Sequence, residues 1–279
     1  MGNILVPIDT GRKAPYMVEI TEHETPIGGL PESLAGFTFV HLTDLHGGYG
    51  NTDPVYEEAI SRVNALKPDL LLFTGDYIDD HGENDYPMTA LLRRFEARYG
   101  SYGSFGNHDH RRGVVGTQRI LEQAGVQVLN NANAQVAPGL WVAGVDDYYE
   151  GEPDLPRALA GIPDESTAIL LSHNPNVLKL ARNYNVLMLS GHTHGGQIAL
   201  PVLTPRIVVG IHLRCAQVAG WYRNGRARLY VNRGLGVTGK PFRYRCPAEI
   251  AIFRLVPDPN RPAAQDVSQE RVHQTVEMV

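Results

Sequence analysis

Thiols are scarce, with two cysteines in 279 residues. That excludes a disulfide-built scaffold and any zinc module resting on four thiolates. Cys215 and Cys246 are expected as free, part-buried thiols, since sequence alone does not place them side by side. Long apolar runs are lacking too, and nothing approaches the ~18 residues of a membrane span. The opening residues, MGNILVPIDTGRK, lack the basic-then-apolar order of an export signal. The expectation is a cytoplasmic chain or one peripheral at a membrane, unless a targeting portion lies outside this sequence. Positive net charge is also missing: the balance is −5, so general nucleic-acid binding, which needs a basic surface, is not expected. No internal repeat and no low-complexity block is present.

What is present is enough apolar residue, 43%, to bury a sizeable core. The charge is uneven. Between residues 201 and 254 ten basic residues stand against the single acid Glu249, a balance of +9, which leaves −14 for the rest (−5 − 9). Such a segment reads as solvated strand edges and loops, or as a rim that attracts an anionic substrate or an anionic membrane surface. No linker divides the middle of the chain. Residues 1–15 are expected as a loose lead-in, 16–256 as one domain, and 257–279 as a polar tail.

Within that domain a short apolar run repeatedly leads into a polar loop. Residues 37–42 precede Thr43-Asp44-Leu45-His46, and 70–74 precede Gly75-Asp76. Residues 101–105 precede Gly106-Asn107-His108-Asp109, 168–171 precede Ser172-His173, and 186–189 precede Ser190-Gly191-His192-Thr193-His194. Each run has the length of a buried strand. A helix is expected from Thr52 or Asp53, with Pro54 in its first turn and Val55, Ala59, Ile60, Val63 and Leu66 as its apolar stripe. Asn174-Pro175 is expected to open a second helix carrying Val177, Leu178 and Ala181. Strands alternating with helices imply largely parallel βαβ units, whose loops converge at the carboxyl ends of the strands. Residues 17–34 read as an edge strand and loop. Further strands are expected at 126–129, 139–144, 216–221, 228–231 and 249–255, forming a second sheet packed on the first.

Carboxylates and imidazoles without thiolate suit a borderline or hard divalent ion such as Mn, Fe or Zn. Asp44-x-His46 and His192-x-His194 each put two donors on one side of an extended segment. One Asp-x-His is weak evidence; five donor-bearing loops in order are not. The ordered set LTDLHGG, LLLFTGDYID, GSFGNHD, LSHNPN and LSGHTHGGQI, followed by NRGLGVTGKPFRYRCPAEI, resembles the calcineurin-like metallophosphoesterase superfamily. Within it, the chain is most similar to the bacterial YkuE/YaeI-type phosphodiesterase branch, over roughly residues 18–255.

The resemblance implies an α/β fold, a four-layer αββα sandwich of two mixed sheets flanked by helices, with a binuclear centre at one edge. It implies one metal on Asp44, His46 and His194, a second on Asn107, His173 and His192, and Asp76 bridging them. Two cations held close need an anionic bridge, and solvent hydroxide between them could attack phosphorus in line. His108 would stand by the leaving-group oxygen, with Asp109 orienting its ring. The cofactors implied are two divalent ions, Mn first.

The reaction expected is phosphodiester or pyrophosphate hydrolysis on a small-molecule or lipid-linked substrate. Alternatives are a pyrophosphatase of the UDP-2,3-diacylglucosamine type, with residues 202–213 receiving an acyl chain, and a cyclic-nucleotide phosphodiesterase. A silent scaffold is disfavoured because every ligand position is filled. Gly75, Gly106 and Gly191 are read as turn residues that tolerate positive φ, and Gln197 as a loop brace. His23, His41, His81, His110, His212 and His273 are read as ordinary, with His110-Arg111-Arg112 starting a loop. Asp79 and Asp80 are either hydrogen-bonded behind the site or simply solvated.

Overall fold

Twelve strands in two six-stranded sheets carry the described residues of the computed structural model, which are 18–82, 85–199 and 213–260. In spatial order the first sheet is β1 (Val18–Ile27), β12 (Ala248–Pro257), β2 (Thr38–Leu42), β3 (Leu70–Thr74), β4 (Ser101–Ser104) and β5 (Val126–Val128). The second is β10 (Gly220–Asn224), β11 (Ala227–Val231), β9 (Leu187–Ser190), β8 (Thr167–Leu171), β7 (Leu140–Gly144) and β6 (Ala132–Ala137). Both are mixed. Pairing is parallel from β2 through β5 and from β7 through β9 to β11, and antiparallel at β12–β2, β6–β7 and β10–β11.

The period-2 alternation of a strand explains the layering. Along β3, Leu70 and Leu72 face the second sheet in a core shared with Phe39, Val142, Ile169, Leu171, Leu189 and Phe253. Leu71 and Phe73 face the opposite way, against α1 (Asp53–Leu66), α2 (Met88–Leu92) and α4 (Val114–Gln123). The second sheet's outer face packs on α5 (Leu155–Ala158) and on the turn at Pro175–Lys179. The result is helix, sheet, sheet, helix, the αββα sandwich expected. Each fully buried Leu or Phe in these layers contributes roughly 1.5–3 kcal/mol.

Several expectations need correction. The strands expected at 126–129 and 249–255 join the first sheet as β5 and β12, not the second. The segment opened by Asn174-Pro175 forms 3-10 turns, Pro175–Lys179 and Ala181–Asn183, not an α-helix. Its apolar side chains Val177, Leu178 and Ala181 are nonetheless buried. On α1 the buried stripe includes Tyr56 and stops at Val63, and Leu66 is exposed. Strand β10 lies at 220–224, several residues beyond the expected 216–221, because Gly225, with φ 58°, opens a two-residue hairpin turn to Ala227. Strand β6, poor in large apolar residues, carries no sequence signal and sits at a sheet edge. Residues 1–15, most of the tail, the stretch 202–212, His212 and His273 lie outside the described residues.

Candidate metal centre

The five donor loops leave the carboxyl ends of β2, β3, β4, β8 and β9, so both sheets deliver side chains to one edge. The loops are zipped together by their backbones. Asp44 N–H donates to Gly75 O at 3.1 Å, and His46 N–H to Asp76 O at 3.0 Å. Gly191 N–H donates to His173 O at 3.0 Å. Five of the seven expected ligands adopt positive φ: Asp44 (50°), His46 (50°), Asp76 (54°), His192 (72°) and His194 (50°). Non-glycine residues enter this region at a cost of about 1–2 kcal/mol each, and do so where surrounding contacts over-determine them. The strain therefore sits on the donors. Gly75 has the positive φ expected of it (85°), but Gly106 and Gly191 do not. Those two are required by crowding, since a Cβ at Gly106 would overlap the Asp76 carboxylate and one at Gly191 the Asp44 carboxylate.

All seven expected ligands meet in two adjoining clusters. In the first, His46 Nε2 and His194 Nε2 lie 3.1 Å apart, and Asp44 Oδ1 is 3.2 Å from His194 Nε2. In the second, His173 Nε2 is 3.1 Å from each of Asn107 Oδ1, His192 Nδ1 and Asp76 Oδ2. Asp76 Oδ2 also stands 3.6 Å from His46 Nε2, so one carboxylate oxygen faces both clusters. The far nitrogens fix the ring orientations. His173 Nδ1–H donates to Thr74 O at 2.7 Å, and His46 Nδ1 pairs with the buried Asp79 at 2.9 Å. Each thereby aims its Nε2 at the centre, the arrangement that orients metal-bound imidazoles.

The charges explain why a cation suits this spot. Burial alone would raise the Asp44 carboxyl, but the His194 and His173 rings hold it well below the ordinary range. Burial likewise opposes ionisation of Asp76, and His173, His108 and His46 overcome it. Burial lowers His173, yet Asp76 and Asp44 drive its pKa up to about 10. His192 falls to about 3 through burial and the His173 charge. His194 falls to about 4, mainly through burial. Two ionised carboxylates thus enclose a point that demands positive charge, which His173 meets with a proton while His192 and His194 stay neutral. Three acceptors around His173 Nε2 cannot be satisfied by one proton, whereas a divalent ion satisfies them together.

Residues 37–196 match the model of the calcineurin-like phosphoesterase family. The chain belongs to the calcineurin-like phosphoesterases. It is 36% identical over 251 residues to the uncharacterized metallophosphoesterase YkuE of Bacillus subtilis (strain 168), covering 86% of each chain. It is 32% identical over 255 residues to a transmembrane protein with metallophosphoesterase domain of Danio rerio, covering 85% of this chain and 57% of that protein. The phosphoesterase thus spans just over half the length of that relative. A solved dimetal phosphatase from Danio rerio aligns with a TM-score of 0.47 at 12% identity, over 76% of this chain and 94% of that one. Among the described residues no helix is long and apolar enough to cross a membrane.

The residues around the candidate donors depart from expectation at Asp109 and at His110. In this phosphoesterase Asp109 does not orient His108. Its carboxylate is fully buried and accepts backbone N–H groups of Gly106 (2.8 Å), Asp76 (2.8 Å) and Tyr77 (3.1 Å), lashing the β4 loop to the β3 loop. Burial and the neighbouring Asp76 push its pKa up to about 7. The partner of His108 is Asp80, whose Oδ1 lies 2.7 Å from Nδ1. Both acids left open by sequence are therefore engaged, Asp79 behind His46 and Asp80 behind His108. His110 lies within α3 (Asn107–Arg112), not in a loop, and pairs with Asp146 at 2.7 Å. His41 is buried against Thr74, His23 packs among Trp221, Tyr230 and Phe253, and His81 is exposed. Cys215 and Cys246 are free and buried. Gln197 braces the neighbouring loop, donating Nε2–H to Thr238 O, Lys240 O and Phe242 O.

Sequence reasoning missed Arg243, counting it among the solvated cations. Its guanidinium is buried and donates to the carbonyls of Gly236 (2.9 Å), Arg233 (2.8 Å), Gly234 (3.1 Å) and His194 (3.3 Å). The same 233–236 loop cradles the Asp44 backbone, with Gly236 N–H donating to Asp44 O at 2.7 Å and Leu235 N–H to Thr43 O at 3.1 Å. One side chain therefore ties the loops of Asp44 and His194 together. An apolar pattern cannot reveal this, because an arginine is read as surface by default. Arg243→Met should destabilise the fold by about 3 kcal/mol in denaturant unfolding, since four carbonyls lose their donor. Arg243→Lys should recover only part of that loss, because it lacks the planar fork. Equal stability of Arg243→Met and the parent would remove Arg243 from this role.

Proposed function

We propose that this phosphoesterase hydrolyses a phosphodiester or pyrophosphate with two divalent ions, one held by Asp44, His46 and His194, the other by Asn107, His173 and His192, with Asp76 shared. The observation that carries the reading is the single Asp76 oxygen facing both donor clusters, an anion placed where two cations would repel. Bound there, divalent ions supply Lewis acidity to the phosphoryl oxygens and to the attacking water. Oxygen and imidazole donors without thiolate suit Mn, Fe or Zn, with Mn taken first, and the neutral Asn107 keeps the centre able to accept an anionic phosphate.

The remaining steps belong to the side chains. His108 lines the cavity beside Asp76 and Asn107, and with Nδ1 turned to Asp80 it leaves Nε2 for the departing oxygen. There it gives a proton or a hydrogen bond as the P–O bond breaks. The cavity, about 880 Å³, is in the range that takes a whole organic ligand and not only a phosphate. Arg214 and Lys240 line it with no carboxylate within 4 Å among the described residues, so a further anionic group on the substrate has cations to meet. Those two features support a diester or pyrophosphate over a monoester.

The test is a panel on Mn-loaded protein: an aryl monoester, an aryl diester, a cyclic nucleotide and a UDP-sugar lipid, with metal counted by elemental analysis. The reading expects two ions per chain and kcat/KM at least tenfold higher for a diester or pyrophosphate. One ion per chain, or a monoester preferred, would overturn it. Metal should also stabilise the fold. At one hundred times Kd a single site adds about 2.7 kcal/mol, so stripping it with a chelator should lower Tm by about 5–10 °C in a domain of this size. A Tm indifferent to chelator would count against the donor assignment.

A further inference from the structure

Between Gln197 and the mouth of the cavity runs a lip, residues 238–245, that is built with unusual firmness for a surface loop. Arg243 points inward and is buried, anchored on the carbonyls already described. Its neighbours Phe242 and Tyr244 are 43% and 46% exposed, consistent with the alternation of an extended segment. Tyr244 pairs its backbone with Gln197 and Ala199, and Gln197 holds three lip carbonyls, so the two rings stand on a braced support. Tyr149, 42% exposed, stands at the same cavity. Among the described residues, three of the eight exposed large hydrophobic residues thus lie on the lip or at the cavity it borders.

The charge at this mouth is mostly positive, with Arg111, Arg214 and Lys240 against Glu150, which Arg111 holds at 2.9 Å. Lys240 and Arg214 line the mouth, and Arg245 lies over the Tyr244 ring at 5.8 Å. Residues 213–248 contain no Asp or Glu, and Lys240 and Arg214 have no carboxylate within 4 Å among the described residues. Aromatic rings that bury an apolar body and sit among cations match the boundary between lipid headgroups and acyl chains. A rigid pair of rings loses little conformational entropy on docking.

We propose that the lip carrying Phe242, Tyr244, Lys240 and Arg245, with Arg214 opposite, is a docking surface for an anionic lipid bilayer and sets the mouth of the metal cavity against it. The occupant is argued from the charge: a bilayer bearing anionic headgroups supplies both the negative surface and the apolar layer that the rings require. Nucleic acid would meet the cations too, and the oligonucleotide arm of the test separates it from a bilayer.

Docking is measured by co-sedimentation of the full chain with phosphatidylcholine vesicles and with vesicles containing about a third phosphatidylglycerol, at low and high salt. Binding is expected only to the anionic vesicles and should weaken as salt rises. Each cation near a charged bilayer contributes roughly fivefold in binding, so the double variant Lys240→Gln/Arg245→Gln should weaken it by roughly 25-fold. Phe242→Ser/Tyr244→Ser should weaken it severalfold while leaving its salt dependence in place, and unchanged far-UV circular dichroism shows that the variants fold. Equal affinity for neutral and anionic vesicles, full binding by either variant, or preference for a single-stranded oligonucleotide would overturn the proposal. No turnover is read, so the outcome stands apart from the hydrolase assignment.

Discussion

Asp76→Asn should abolish turnover, with kcat/KM falling by at least about 10³-fold, and should take metal content from two ions per chain to one or none. The carboxylate is buried and faces His46 Nε2 and His173 Nε2 from one oxygen, while its other oxygen accepts the His108 N–H at 2.9 Å. An amide of the same shape keeps an oxygen for one contact but loses the negative charge that would offset two cations. Losing one buried ionic partner is costly because the groups left behind are not compensated. The comparison that makes the result specific is Asp79→Asn. Its carboxylate touches the far side of His46 at 2.9 Å, so that change should weaken metal binding by 10–100-fold without removing it. If Asp76→Asn retained two ions and full rate, the shared-carboxylate arrangement would be wrong.

The second large effect is expected at His108. His108→Ala should lower kcat by 10²–10⁴-fold while leaving two ions per chain, because the seven assigned donors all remain. The loss should depend on the leaving group. An alkyl ester, whose alkoxide needs a proton, should show the full effect, whereas a nitrophenyl ester should show little. Asp80→Asn should give a smaller loss of about tenfold, as it releases the ring without removing it. Asp109→Asn should act differently, weakening metal retention and stability through the three backbone donors it braces. Parallel profiles for Asp80→Asn and Asp109→Asn across leaving groups would contradict this division of roles.

The same comparison shows what residue types alone can reveal. Runs such as LLLFT announce themselves because a strand covered on both faces is apolar throughout, and four of the five donor loops follow largely apolar runs, the exception being β4, SYGS. The donors were legible because Asp, His and Asn after a buried strand have few other reasons to recur in order. Asp109 was misassigned because adjacency in sequence suggested a partner for His108, whereas α3 turns the two side chains apart and presents Asp109 to backbone N–H groups. Asp80 was reachable from sequence only as one of two open choices, since its pairing spans β3 and β4. Arg243 was hidden in a tally of basic residues. The 3-10 turns after Asn174 and the shifted β10 were lost for a simpler reason: Pro and Gly mark where a segment bends, not which helix type or register follows.

Each cluster draws donors from both sheets: Asp44 and His46 with His194, and Asp76 and Asn107 with His173 and His192. Besides the loop bonds described above, those halves are kept in step by the apolar seam between the sheets, where Phe39, Leu70 and Leu72 of the first meet Ile169, Leu171 and Leu189 of the second. Coordination tolerates a few tenths of an ångström, so a sliding of one sheet past the other by a single ångström would disarm both clusters at once. The seam therefore acts as the gauge block of the active edge, and substitutions deep within it, far from any donor, can be expected to surface first as lost metal affinity and only later as lost fold.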